Sequence, residues 1–163
     1  MLRHYSRVCL TGAGLLGLMM LPVLALADAR TEEFIKSRQA NTRDLGGGYN
    51  EIRQELRKSK PMQFLIEQYA AQMESLAQDQ ARWFPPGTGP DSGYLTQAKA
   101  NIWTDQEEFQ ALYAASLAAT SKLNQVAGAK DYKALEDQLK VVKDACLACH
   151  DKFKTKGEHD LQF

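Results

Sequence analysis

The constraint that does most to decide how this chain folds is a seam of residues near its C-terminus. Tyr132, Leu135, Leu139, Val142, Cys146, Cys149 and Phe153 recur at alternating spacings of three and four. That rhythm places every one of them on a single face of an α-helix, and a face of this kind has to be buried against other helices. Asp131, just upstream, is an N-cap type whose side chain can accept from an early helical N–H. The same 3/4 rhythm recurs in three upstream segments, and no stretch alternates apolar and polar as a half-buried strand would.

Two positions of the seam are cysteines, and the residue after the second is a histidine: Cys146-Leu147-Ala148-Cys149-His150. Cys-x-x-Cys-His is the attachment signature of c-type haem. Two thiols one helical turn apart can both add to the haem vinyl groups, and the adjacent imidazole can then reach the iron as an axial ligand. A dithiol redox motif or half of a zinc site would also use Cys-x-x-Cys. The first wants a βαβ setting that this pattern lacks. The second wants four ligands, for which the chain beyond its leader offers only these three and His159. A helical bundle whose cysteines form a plain disulfide is the structural alternative.

The N-terminus names a compartment. Arg3 and Arg7 precede an apolar run from residue 8 to 27, broken by Pro22 and ending in Ala25-Leu26-Ala27 before Asp28. This is the pattern of a secretory signal peptide, residues 1–27, with an uncleaved membrane anchor as the alternative. Cys9 would leave with it. Residues 28–163 then make one domain, large enough for a core of its own. Loss of Arg3 and Arg7 leaves 18 basic side chains against 20 acidic ones. That balance speaks against nucleic acid or an anionic membrane as partner.

Four helices are expected. The first covers residues 31–57, with Ile35, Arg38, Thr42, Leu45, Tyr49, Ile52 and Leu56 in register; Gly46-Gly47-Gly48 marks a kink or a close approach by another group. The second opens at Pro61 and carries Met62, Ile66, Tyr69, Met73 and Leu76, ending near Trp83. The third covers residues 104–127, with Phe109, Leu112, Ser116, Ala119, Leu123 and Val126 on its face. Thr104 and Glu107 read as its capping box and Gly128 as its C′ glycine. Residues 84–101, rich in Pro and Gly, form the one long irregular connection. The expected fold is all-α, an antiparallel up-down-up-down four-helix bundle.

Arg38 and Thr42 interrupt an otherwise apolar seam. A buried guanidinium is costly without a partner, so Arg38 calls for an anion, such as a haem propionate, or else snorkels to the bundle end. Thr42, one turn on, faces the bundle centre, where its hydroxyl can also bond back to its own helix.

These motifs together resemble the cytochrome c′ family, the class II c-type cytochromes, with the cytochrome c556 branch close by. The resemblance is carried by Cys146-Leu147-Ala148-Cys149-His150, by Arg38-Gln39, by Phe84-Pro85-Pro86-Gly87-Thr88, and by Ile102-Trp103-Thr104-Asp105 through Phe109. They occur in the family's order over essentially the whole of residues 28–163. It implies one haem c held through Cys146 and Cys149, with His150 as proximal iron ligand. It also implies Arg38 and Gln39 on the propionate side, and Thr96 and Gln97 near the haem edge. Lys154, a turn after His150, would bias the proximal imidazole, or be an ordinary surface lysine.

Family members with methionine at position 42 are six-coordinate; Thr42 is a poor iron ligand and resembles the open, five-coordinate branch. Met62 or Met73 would be the other sources of a sixth ligand. The resemblance thus implies a periplasmic protein that is not an enzyme, binds a diatomic gas such as NO or CO, and exchanges electrons with redox partners. A six-coordinate electron carrier of the c556 kind is the alternative, and a homodimer is a further expectation.

Overall fold

The structure, a computed structural model, describes residues 21–156. Four helices run in order: α1 (Leu21–Leu56), α2 (Gln63–Asp79), α3 (Gln106–Ala127) and α4 (Tyr132–Phe153). α1 packs on α2, α2 on α3 and α3 on α4, and α4 closes back onto α1. The result is the expected antiparallel four-helix bundle. Most of the signal segment, residues 1–20, and the tail with His159 lie outside the described residues. Among the described residues no helix is long and apolar enough to cross a membrane.

The main core is built from the predicted seams, with Ala70 taking the place expected of Tyr69 in α2. Leu45, Tyr49 and Ile52 of α1 meet Ile66, Ala70 and Met73 of α2, Ala119 and Leu123 of α3, and Leu135, Leu139 and Val142 of α4. A second cluster closes the other end, where Ile102, Phe109 and Phe153 pack with Phe84, Trp103 and Cys149. Its rings meet edge to face, Phe84 on Phe109 at 5.1 Å and Phe109 on Phe153 at 5.3 Å, which is the orientation favoured by the ring quadrupole.

Several expectations at the helix ends are corrected. α1 runs unbroken through Gly46-Gly47-Gly48, so of the kink and the close approach expected there it is the close approach that holds, at Gly48. A Cβ on Gly48 would stand 2.8 Å from Met73 Cγ. Pro61 does not open α2; Met62 is its N-cap, and the Met62 N–H donates to Glu55 Oε2 at 3.0 Å. Met62 is therefore 55% exposed and not part of the stripe. The N-cap of α3 is Asp105, without the Thr104 capping box, because a 3₁₀ turn (Ala100–Ile102) leads in and Asn101 O already accepts from Asp105 N. Gly128 is right-handed; the left-handed residue of that turn is Lys130, at φ 57°. Asp131 does cap α4, accepting from Ala134 N at 3.0 Å.

The connection between α2 and α3 is a folded strap. Trp103 Nε1 donates to the carbonyls of Phe84 and Pro85, at 3.1 and 3.2 Å. Gly87 takes φ 82°, open to glycine at little cost. Gly89 lies so close to Trp103 that a Cβ would meet the ring at 2.9 Å.

Candidate haem site

All four helices contribute to one cleft. α1 supplies Thr42, Leu45, Gly46 and Tyr49; α2 supplies Met73; α3 supplies Phe109, Leu112, Tyr113 and Ser116; α4 supplies Cys146, Cys149 and His150. Gln80, in the 3₁₀ turn after α2, completes the wall. The lining is mostly apolar with a few polar groups, as in cofactor pockets.

The helical spacing of α4 brings both thiols and the imidazole to this cleft. Cys146 and Cys149 are not joined to each other as a disulfide. Burial pushes each up to about 11, opposed for Cys146 by a hydrogen bond with Ser116 and reinforced for Cys149 by its neighbour Cys146. Burial, and then the charge of Lys154, hold His150 below the usual imidazole value, with Asp151 pulling the other way. A neutral imidazole keeps a lone pair for a metal. Among the described residues no three His, Cys, Asp or Glu side chains gather to hold a metal ion by themselves. The donor set instead fits a haem: two thiols a turn apart, one imidazole, and apolar walls on the other helices. Gln80 Oε1 at the cleft wall is a buried acceptor without a hydrogen bond.

Thr42 lines the cleft and also donates to Arg38 O at 2.8 Å, so its two sequence readings hold together. Met73 lines the cleft and is 1% exposed, whereas Met62 is remote from it.

Arg38 does not snorkel: it is 4% exposed. The anion that its burial called for is also not what answers it. Nη1 donates to Trp83 O at 3.3 Å and Thr88 Oγ1 at 3.1 Å, while Nη2 donates to Thr88 O at 3.0 Å and Thr96 Oγ1 at 2.9 Å. The guanidinium also lies 4.8 Å over the Phe84 ring. Desolvation lowers its pKa to about 10. Gln39 joins the same strap, donating to Leu95 O at 2.9 Å. Arg38, Gln39 and Thr96 are thus brought together, while Gln97 is exposed and contributes its carbonyl, which accepts from Thr155 N. None of these four residues lines the cleft itself.

Sequence reasoning missed Gln80, Tyr113 and Ser116 as cleft-lining polar groups, and it read Tyr49 as core alone. Ser116 carried a signal, as a hydroxyl on the otherwise apolar face of α3. Gln80 carried none, because it sits past the end of the periodic stripe.

A four-helix bundle with two thiols and an imidazole converging on one largely apolar cleft defines a c-type haem protein of the helical-bundle class. The sequence model of cytochrome c′ matches residues 33–154, and the chain belongs to that family. Proteins of this family carry covalently attached haem c, as this one does. The cytochrome c′ of Rubrivivax gelatinosus is 36% identical over 70 residues, which is 43% of this chain and 54% of that protein. That alignment spans about half the relative's length. Solved structures extend the fold further. A cytochrome c′ with ligand-controlled dimer dissociation superposes with a TM-score of 0.73 at 23% identity, covering 77% of this chain and 97% of that one. An Alcaligenes xylosoxidans cytochrome c′, a ferrous variant with NO bound, superposes at 0.69 with 24% identity, covering 78% and 97%.

Proposed function

We propose that this chain is a periplasmic haem protein that binds a diatomic gas at an open iron position and exchanges electrons, without catalysing a reaction of its own. In this reading Cys146 and Cys149 form the thioethers and His150 is the axial ligand. The haem, when bound, supplies an iron that takes a gas such as NO or CO and passes single electrons. The chain's own residues set the terms. Leu45, Phe109 and Leu112 line the cleft with apolar surface, which disfavours charged ligands. Thr42 offers neither the sulfur nor the nitrogen of a usual haem axial ligand. The observation that carries the reading is the cleft itself, with Cys146, Cys149 and His150 on α4 and Thr42, in place of a methionine, on α1. A structural relative holding NO supports it, and a relative with a ligand-controlled dimer supports a homodimer that responds to ligand.

One observation favours a second reading. Met73 reaches the cleft wall, so its sulfur is the candidate sixth ligand of a low-spin electron carrier. A titration of the ferrous holoprotein with NO, followed by absorbance, separates the two. Saturation at one NO per haem is expected; an unchanged spectrum refutes gas binding.

A further inference from the structure

The polar side chains that line the cleft differ in what they still have to offer. Tyr113 Oη donates to Gln78 O at 3.2 Å, and the Ser116 hydroxyl is engaged with Cys146. Thr42 Oγ1 has given its proton to Arg38 O at 2.8 Å. A hydroxyl carries one donor and two acceptor lone pairs, so what Thr42 has left is an acceptor. Gln80 Oε1 is buried and accepts from no protein group. A buried amide oxygen costs free energy until a donor reaches it.

Gln80 opens the short turn Gln80–Trp83 that follows α2, and this turn packs on α1 and α3. Arg38 Nη1 fastens it to α1 through Trp83 O, at 3.3 Å. The Gln80 N–H donates to Ala77 O, so the backbone makes the helix cap and the side chain is left for the cleft. Gln80 thus enters from the α1 and α3 side, as Thr42 does from α1, whereas Cys146, Cys149 and His150 come from α4.

Two acceptors lining one cleft call for an occupant with two donors. NO and CO donate nothing. Water has two O–H donors and suits a site with two or more polar partners. We propose that Thr42 and Gln80 together hold a water molecule on the open side of the cleft, in the place an incoming gas must take. The inference rests on the iron position beneath Thr42 being open. A gas that displaces an ordered water without replacing its hydrogen bonds loses affinity and enters more slowly. Gln80, silent in the sequence pattern, becomes a specificity-determining residue alongside Thr42.

The test is the association rate of CO with the ferrous holoprotein after flash photolysis. Electron–nuclear double resonance of the ferric form in heavy water, run alongside, reads exchangeable deuterons near the iron. Gln80→Leu and Thr42→Val each remove one acceptor, and Gln80→Glu keeps an acceptor oxygen on a side chain of the same length. CO association is expected to rise about fivefold in Gln80→Leu and in Thr42→Val, which is what one neutral hydrogen bond is worth. It should stay near the wild-type rate in Gln80→Glu. The deuteron signal should be present in wild type and in Gln80→Glu, and lost in the other two.

An unchanged association rate in either Gln80→Leu or Thr42→Val would overturn the proposal. So would a Gln80→Glu variant that behaves like Gln80→Leu, or a wild type without the deuteron signal. Failure of the underlying reading looks different. An iron already filled by a protein ligand gives a low-spin ferric spectrum and slow CO uptake in wild type and variants alike, and would overturn both.

Discussion

Replacing Arg38 with methionine keeps most of the side chain's length and removes its charge and its forked donors. Four hydrogen bonds disappear, to Trp83 O, to both oxygens of Thr88, and to Thr96 Oγ1. At about 1.5 kcal/mol each for a charged donor, they amount to roughly 6 kcal/mol. The stacking over Phe84 at 4.8 Å, largely out of water, adds about 2 kcal/mol. Against this stands the cost of burying the cation. The lowering of its pKa to about 10 corresponds to roughly 3 kcal/mol at about 1.36 kcal/mol per unit. The balance favours arginine, and methionine leaves carbonyls behind without donors. Arg38→Met should therefore destabilise the protein by about 5 kcal/mol, a fall on the order of 15 °C in Tm for a domain of this size. Thermal unfolding by circular dichroism at 222 nm reads it directly. Arg38→Lys, which keeps the charge but not the fork, should fall between the two. A loss below about 1 kcal/mol in Arg38→Met would refute the reasoning, by showing that burial of the cation cancels all it gains from the strap.

Gly48→Ala would put a methyl 2.8 Å from Met73 Cγ; because Met73 is flexible it should yield, at about 1–2 kcal/mol in urea unfolding, and the haem absorption should shift as the cleft wall moves. Thr42→Met should introduce a sulfur ligand and convert the ferric iron to low spin, visible as a methionine-to-iron charge-transfer band; NO binding should slow at the same time. Asp137 is pulled down to about 2 by hydrogen bonds from Lys133 and then Lys140. A carboxyl whose folded pKa is depressed stabilises above its unfolded value and loses that contribution as pH falls towards 2. The stability gap between wild type and Asp137→Asn should thus close between about pH 4 and pH 2; a gap that persists at pH 2 contradicts the assignment.

What the sequence made legible was whatever repeats with the helix. The α4 seam put Cys146, Cys149 and Phe153 on one face, and the structure buries that face. Arg38 and Thr42 stood out because they broke a pattern: Arg38 anchors the strap and Thr42 lines the cleft. What stayed hidden depends on partners that carry no signature. The oxygens that satisfy Arg38 are two main-chain carbonyls and two hydroxyls, 45 to 58 residues away. Glu55 reads as surface charge, yet it is 3% exposed because it answers the N–H of Met62 at the start of α2. The α3 cap moved from Thr104 to Asp105 because the incoming turn had already used residues 101–105. Caps and straps are settled by tertiary contacts, whereas seams are settled locally.

The central claim is that the iron held by His150 is open on the side of Thr42. The most direct measurement is the EPR spectrum of the ferric holoprotein at neutral pH, repeated on the ferrous form with NO. A high-spin ferric signal, followed by a nitrosyl signal on adding the gas, is the predicted result. A low-spin ferric signal that NO leaves unchanged would contradict it and make Met73 the sixth ligand.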